Sequence, residues 1–204
     1  FNKFENTKLI LLGVGGVGSF ALDALYNTGI TNITIVDFDT YEESNKNRQM
    51  GSHGNIGRVK VDALKEKYPE VTAIEAKITP EWIDEFDFSS YDYILDAIDD
   101  VKPKVHLIKK YFTKVISTSG SAKRIDPSKI EYKSIWDTYN DPFIKKIRTE
   151  LKAQNFKKKF KVIFSSELAN CVEKGSFEAV TGSFGLMMAS VTVQKVINKM
   201  KKIT

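Results

Sequence analysis

Short apolar runs alternate with amphipathic stretches along most of this 204-residue chain. The first run, Leu9 to Leu12, leads at once into Gly13-Val14-Gly15-Gly16-Val17-Gly18 and then an amphipathic stretch over 19–27. That order predicts a buried strand, a tight turn and a helix. A second run, Ile33 to Val36, ends in Asp37, and 38–57 is polar and loop-like. Val61, Leu64 and Tyr68 share one face of a helix expected over 58–68. Pro69 ends that helix, because its ring cannot continue it. A third strand is expected over 71–76, and Thr79-Pro80 reads as an N-cap with proline at the first helical position. A strand over 93–96, a helix over 102–112 and a strand over 115–118 follow. The pattern is β-α-β-α-β, hence a parallel sheet with right-handed crossovers.

Beyond Gly120 the rhythm changes. Residues 130–135 alternate like a half-buried strand, which points to an antiparallel extension. Asp141-Pro142 opens a basic helix to about 154, and 162–164 is a short strand. A polar, irregular stretch over 170–182 precedes a final helix over 183–199. The expected fold is α/β: a Rossmann-like, mostly parallel sheet with helices on both faces and an antiparallel C-terminal extension.

The glycine run carries the first chemistry. Gly13 permits the turn, Gly15 lets a phosphate approach the backbone, and Gly18 lets the helix pack closely on the strand. The first helical N–H groups have no intrahelical partners and lie at the positive end of the dipole, so they favour an anion. Asp37, about twenty residues beyond the glycines, stands where a ribose-binding acid belongs. A dinucleotide enzyme would share all of this, so the discriminating residues lie further on. A triphosphate about to be cleaved needs cations and usually Mg²⁺. Arg48, Lys60 and the acids Asp96, Asp99 and Asp100 are suitable types. Asp37, Asp96 and Asp99 fall at strand ends, where ligands of open α/β sheets sit. A carboxylate facing phosphates there requires a metal between them.

Composition narrows the class. With 42% apolar residues the chain can bury one good core, and one domain is expected. No run approaches the roughly 18 apolar residues of a membrane span, and no signal peptide is evident. The chain begins with Phe and reaches its first strand almost at once, so residues are expected upstream. The single cysteine, Cys171, leaves no intrachain disulfide or CxxC zinc pair and fits a reducing cytoplasm. A net charge of +5 permits an anionic partner without demanding one.

Several short motifs occur in an order that resembles the ThiF/MoeB/HesA family, the ubiquitin-activating-type adenylyltransferases. They are the glycine run, Asp37-Phe38-Asp39, Asn45-Lys46-Asn47-Arg48-Gln49, Lys60 and Asp96-Ala97-Ile98-Asp99. Lys102-Pro103-Lys104, Gly120 with Ile125-Asp126-Pro127, and Asp141-Pro142 with Lys146 and Arg148 resemble the branch that dehydrates threonylcarbamoyladenosine in tRNA. Phe164-Ser165-Ser166-Glu167 and Val180-Thr181-Gly182-Ser183-Phe184-Gly185 continue that likeness. The resemblance implies an ATP site with Mg²⁺. Gly13, Gly15, Gly16 and Gly18 would hold the phosphates, Asp37 the ribose, and Asp39 joins the same set. Asn45 and Arg48 would line the α- and γ-phosphates, Lys60 would neutralise the reacting phosphate, and Asp99 would hold the metal. Arg48, Lys60 and Asp99 are the residues expected to be catalytic. The resemblance also implies a homodimer, a tRNA partner met through its anticodon arm, and a division into an ATP-binding half over 1–119 and a substrate and dimerisation half over 120–204. A sulfur-relay protein is left open as a further partner. Asp100 departs from the family, where Asn or Ser is commoner, and the family's N-terminal segment has no counterpart here.

Each residue also has a plainer reading. Asp96 fits ordering of the strand end better than metal binding. Cys171 invites a thioester mechanism, yet a lone cysteine is usually an inert small side chain. His53 and His106 have no nucleophile around them. The lysine run over 157–161 is either a solvated turn or a phosphate-binding patch. Three functions therefore compete: an ATP-dependent tRNA dehydratase, an adenylyltransferase for a ubiquitin-like sulfur carrier, and a nucleotide-binding scaffold. The second predicts CxxC pairs and the third a damaged site. The first fits a cysteine-poor chain with its motif residues present.

Overall fold

Strand alternation sorts the apolar side chains into two cores. In this computed structural model, which describes residues 4–169 and 175–201, β1 (Leu9–Leu12) is wholly buried. It sends Leu9 and Leu11 to one face and Ile10 and Leu12 to the other, as a period of two requires. Both faces are covered, and the strand therefore reads as a continuous apolar run. The other strands are β2 (Ile33–Asp37), β3 (Thr72–Glu75), β4 (Tyr93–Asp96), β5 (Val115–Thr118), β6 (Ile130–Ser134) and β7 (Lys161–Ser165). On one face pack α1 (Gly16–Asn27), α2 (Lys60–Lys67) and α6 (Glu178–Met200), through Leu22, Leu64 and Phe184 among others. On the other face lie α3 (Pro80–Glu85), α4 (Val101–Tyr111) and α5 (Pro142–Ala153), through Ile83, Leu107 and Ile147.

The seven strands form one sheet in the order β3-β2-β1-β4-β5-β7-β6. Every pairing is parallel except that of β6 with β7, where Ile130 stands opposite Ser165. The antiparallel extension is thus β6, carried on β7. Chain order reverses between β1 and β4, which opens a crevice at the strands' carboxyl ends. The two proline-marked caps form as read. The Thr79 hydroxyl accepts from the Trp82 N–H at 3.2 Å, and the Asp141 carboxylate from the Ile144 N–H at 3.0 Å.

Two helices begin earlier than their pattern suggests: α1 at Gly16 and α6 at Glu178. Glycine disfavours a helix interior by about 1 kcal/mol, so a pattern-based reading of α1 stops at the glycine run, while the polar stretch over 170–182 hides the start of α6. Tertiary contact overrides that cost. A Cβ on Gly185 would lie 2.5 Å from the Val17 carbonyl oxygen and 2.7 Å from the Phe20 Cβ, so a larger residue would push α6 off α1. The early start also corrects the expectation about membrane length. The helix over Glu178–Lys199 is long and apolar enough to cross a membrane, and 56% of its most apolar stretch is buried inside the protein. It serves as a core helix here.

Candidate active site

The crevice is a cleft of about 830 Å³ at the carboxyl edge of the sheet. Gly13, at φ +88°, turns the chain out of β1, and its N–H donates to the Val36 carbonyl at 2.9 Å. Gly18 sits behind the turn, where a Cβ would lie 1.9 Å from the Gly13 carbonyl oxygen. The helix can therefore start directly over the strand end. No side chain caps α1, and the backbone at Gly15 and Gly16 forms the cleft wall. Unpaired N–H groups at a helix start are an anion site.

Asp37 is buried, and both its oxygens are engaged. They accept from the Val14 N–H at 2.8 Å and the Asp39 N–H at 2.9 Å. Before it meets any ligand, this carboxylate locks the glycine turn to the end of β2. Burial, with Asp37 nearby, pushes the Tyr41 hydroxyl's pKa up. It stays a neutral donor to the Met50 carbonyl at 2.7 Å, holding the 41–50 loop under the cleft.

Cations line the cleft as well, and Arg48 packs directly beside Gly16. Lys60 opens α2, is nearly buried, and reaches the half-exposed Asp39 carboxylate at 2.9 Å. Arg48 donates to the Ser44 carbonyl at 2.7 Å and to the Asn47 side chain at 2.9 Å. The Asn45 side chain accepts from the Glu42 N–H at 3.0 Å, so it also shapes the loop that presents Arg48. Beside them is Gln49, to which the sequence reading assigned no role. Its Oε1 is buried on the cleft wall and has no donor among the described residues. Its position next to Arg48 was the available signal.

The acids after β4 divide. Asp96 is fully buried against the Lys104 ammonium at 2.7 Å and accepts from the Ser117 hydroxyl at 2.6 Å and the Ile98 N–H at 3.1 Å. Burial pushes the Lys104 pKa down, while Asp96 pulls it back up. Asp100 caps α4 by accepting from the Lys102 N–H at 3.1 Å. Asp99 lines the cleft. All the candidate residues except Gly18 do so: Gly13, Gly15, Gly16, Asp37, Asp39, Asn45, Arg48, Lys60 and Asp99. Among the described residues no cluster of three or more His, Cys, Asp or Glu could hold a metal by itself. His106 pairs with Asp84 at 2.9 Å, and Cys171 lies outside the described residues.

A glycine turn at a helix start, tied to an acid on the next strand at the switch point of a doubly wound sheet, defines a nucleotide-binding α/β protein. The ThiF family model matches residues 1–204, and the chain belongs to that family. It is 36% identical over 173 residues to the tRNA threonylcarbamoyladenosine dehydratase of Bacillus subtilis, covering 80% of this chain and 68% of that protein. To the enzyme of the same name from Haemophilus influenzae it is 30% identical, covering 97% and 88%. The Escherichia coli tRNA N6-threonylcarbamoyladenosine dehydratase, solved in complex with ATP, superposes with a TM-score of 0.92 at 30% identity, over 98% of this chain and 90% of that one.

Proposed function

We propose that this protein uses ATP to activate the carboxylate of threonylcarbamoyladenosine in tRNA, so that the modification cyclises with net loss of water. The observation that carries this reading is the match, over 80–98% of the chain, to dehydratases at 30–36% identity, with one of them solved bound to ATP. The cleft suits ATP, for it combines an uncapped helix start, a nearly buried lysine and a buried glutamine acceptor.

The chemistry follows from these groups. A substrate carboxylate oxygen attacks the α-phosphorus, the bond to the bridging oxygen breaks, and pyrophosphate leaves. Charge builds on the phosphate oxygens, where Arg48 and Lys60 stabilise it. Lys60 can move from the half-exposed Asp39 to a phosphate with little cost, because its present partner is solvated. The ureido group of the same side chain then attacks the acyl carbon and AMP leaves, so no enzyme nucleophile is needed. Asp99 would hold Mg²⁺, with phosphate oxygens and waters as the other ligands, which suits an ion that seldom uses an all-protein cage. When bound, the metal supplies positive charge at the phosphates. A tRNA substrate puts the working protein in the cytoplasm. A homodimer is supported by the exposed apolar residues Leu186 and Ile197, which lie on one face of α6.

The test is product analysis. Incubation with ATP, Mg²⁺ and tRNA carrying the nucleoside should lower that nucleoside's mass by one water and release AMP and pyrophosphate. An unchanged nucleoside, with adenylation of a carrier protein's C-terminal glycine instead, would establish the sulfur-carrier alternative.

A further inference from the structure

We infer that the groove between α4 and α5 is the surface on which the phosphate backbone of the substrate RNA docks, which rests on the tRNA reading above. The chain's basic residues look interchangeable in sequence, and the fold sorts them. Lys104 is sealed in its pair with Asp96. Arg124 is buried against Asp141 at 3.1 Å. Arg148 is spent on the Thr138 carbonyl at 2.7 Å and hydroxyl at 2.8 Å, pinning the turn before α5. The lysine run over 157–161 leads into the start of β7. That strand runs parallel to β5, whose far end opens on the cleft, so the run lies at the opposite edge of the sheet. Ile163 stands opposite Thr118 at the end of β5, so residues 157–159 begin about four residues, roughly 13 Å along an extended chain, behind that strand end.

Lys102, Lys145 and Lys146 differ from all of these. They are exposed, and no ion pair engages them among the described residues. They sit near the N-terminal ends of α4 and α5, where both helix dipoles present their positive ends. Together they line one groove between the two helices. Asp100 and Pro142 belong to this groove and to the nucleotide cleft alike, so the two are continuous. Two carboxylates also line it: Asp100, turned to cap α4, and Glu150, a turn beyond Lys146. An adenosine inserted into the cleft leaves its flanking phosphates at the mouth, and those three ammonium groups are placed to meet them there. Contacts of this kind position the RNA without reading its sequence.

The experiment compares two charge-reversed proteins, K102E/K145E/K146E and K157E/K158E/K159E, with the unaltered chain. Binding of tRNA carrying threonylcarbamoyladenosine is followed by fluorescence anisotropy across a salt series, and ATP binding by thermal shift. The groove variant should bind tRNA at least about ten-fold more weakly, and its log–log salt slope should shrink by about two to three, one cation contact per lysine lost. Its ATP-induced shift should be unchanged, and pyrophosphate release should recover at high tRNA. The 157–159 variant should stay close to the unaltered protein. Loss of tRNA affinity confined to the 157–159 variant would overturn the groove and leave the tRNA reading intact. An unaltered protein that neither binds tRNA nor releases pyrophosphate with it would overturn both.

Discussion

Two lysines of this protein each meet an aspartate at the carboxyl edge of the sheet, and they could hardly be more differently placed. Lys104 and Asp96 are both fully buried, and every oxygen of that carboxylate has a donor. Lys104 also donates to the Thr118 carbonyl at 3.0 Å, tying α4 to the ends of β4 and β5. Lys60 is nearly as buried, but its partner Asp39 is about half exposed and both line the cleft. A saturated pair can only hold structure. A pair with one wet partner can be exchanged for a ligand, because water compensates the carboxylate left behind. Burial of the lysine alone does not separate the two roles; the exposure of its partner does.

The contrast can be broken most severely at Lys104. Lys104→Met strands a buried carboxylate and should cost about 3–5 kcal/mol of stability in urea denaturation. Adding Asp96→Asn should return part of that loss, as a double-mutant cycle would show. A Lys104→Met protein of unaltered stability would mean that the buried pair is not needed. Next come Lys60→Ala and Asp99→Asn, each expected to lower turnover by about 10²-fold, the usual cost of losing a preorganised charge stabiliser. Their urea midpoints should stay near the unaltered protein's, the reverse of the Lys104 result. Omitting Mg²⁺ should depress the Asp99→Asn protein's remaining activity far less than the unaltered enzyme's.

A smaller effect is expected at Asp92. Burial works to raise its pKa, but the Lys199 ammonium at 2.6 Å and the Lys8 N–H at 2.9 Å outweigh it and hold it below the usual range. A depressed carboxylate stabilises the fold above its unfolded pKa and loses that contribution as pH falls through the folded value. Asp92→Asn should therefore lower stability at neutral pH by less than about 1 kcal/mol, with the difference vanishing in acid. A difference that persists in acid would assign the loss to packing. Smallest of all, Cys171→Ser should leave turnover within about two-fold, since the reaction uses a nucleophile on the substrate. Activity that collapsed with the fold intact would revive the thioester mechanism.

Much of this was legible along the chain. The central parallel strands β1, β2 and β4 are short apolar runs because helices cover both faces, and proline with a capping residue marks α3 and α5. The nucleotide cleft was legible for a similar reason. Its residues lie on strand ends and the loops after them, and topology forces those ends together. The individual partners were not legible. Asp96 and Asp99 stand three residues apart, yet one points into the sheet against Lys104 and the other lines the cleft. Gln49 drew no role because a buried, unpaired acceptor shows only once its surroundings exist.

By itself, then, the amino-acid sequence determined the order of strands and helices, the glycine turn and the acids at the ends of β2 and β4. These depend on local period, backbone freedom and chain direction. Only the tertiary structure decided where two glycine-bearing helices could begin, since their close approach outweighs an intrinsic cost of about 1 kcal/mol per glycine. It alone separated sealed cations from those facing the cleft and its groove. Charge is written in the residue, but its availability depends on which neighbours fold against it.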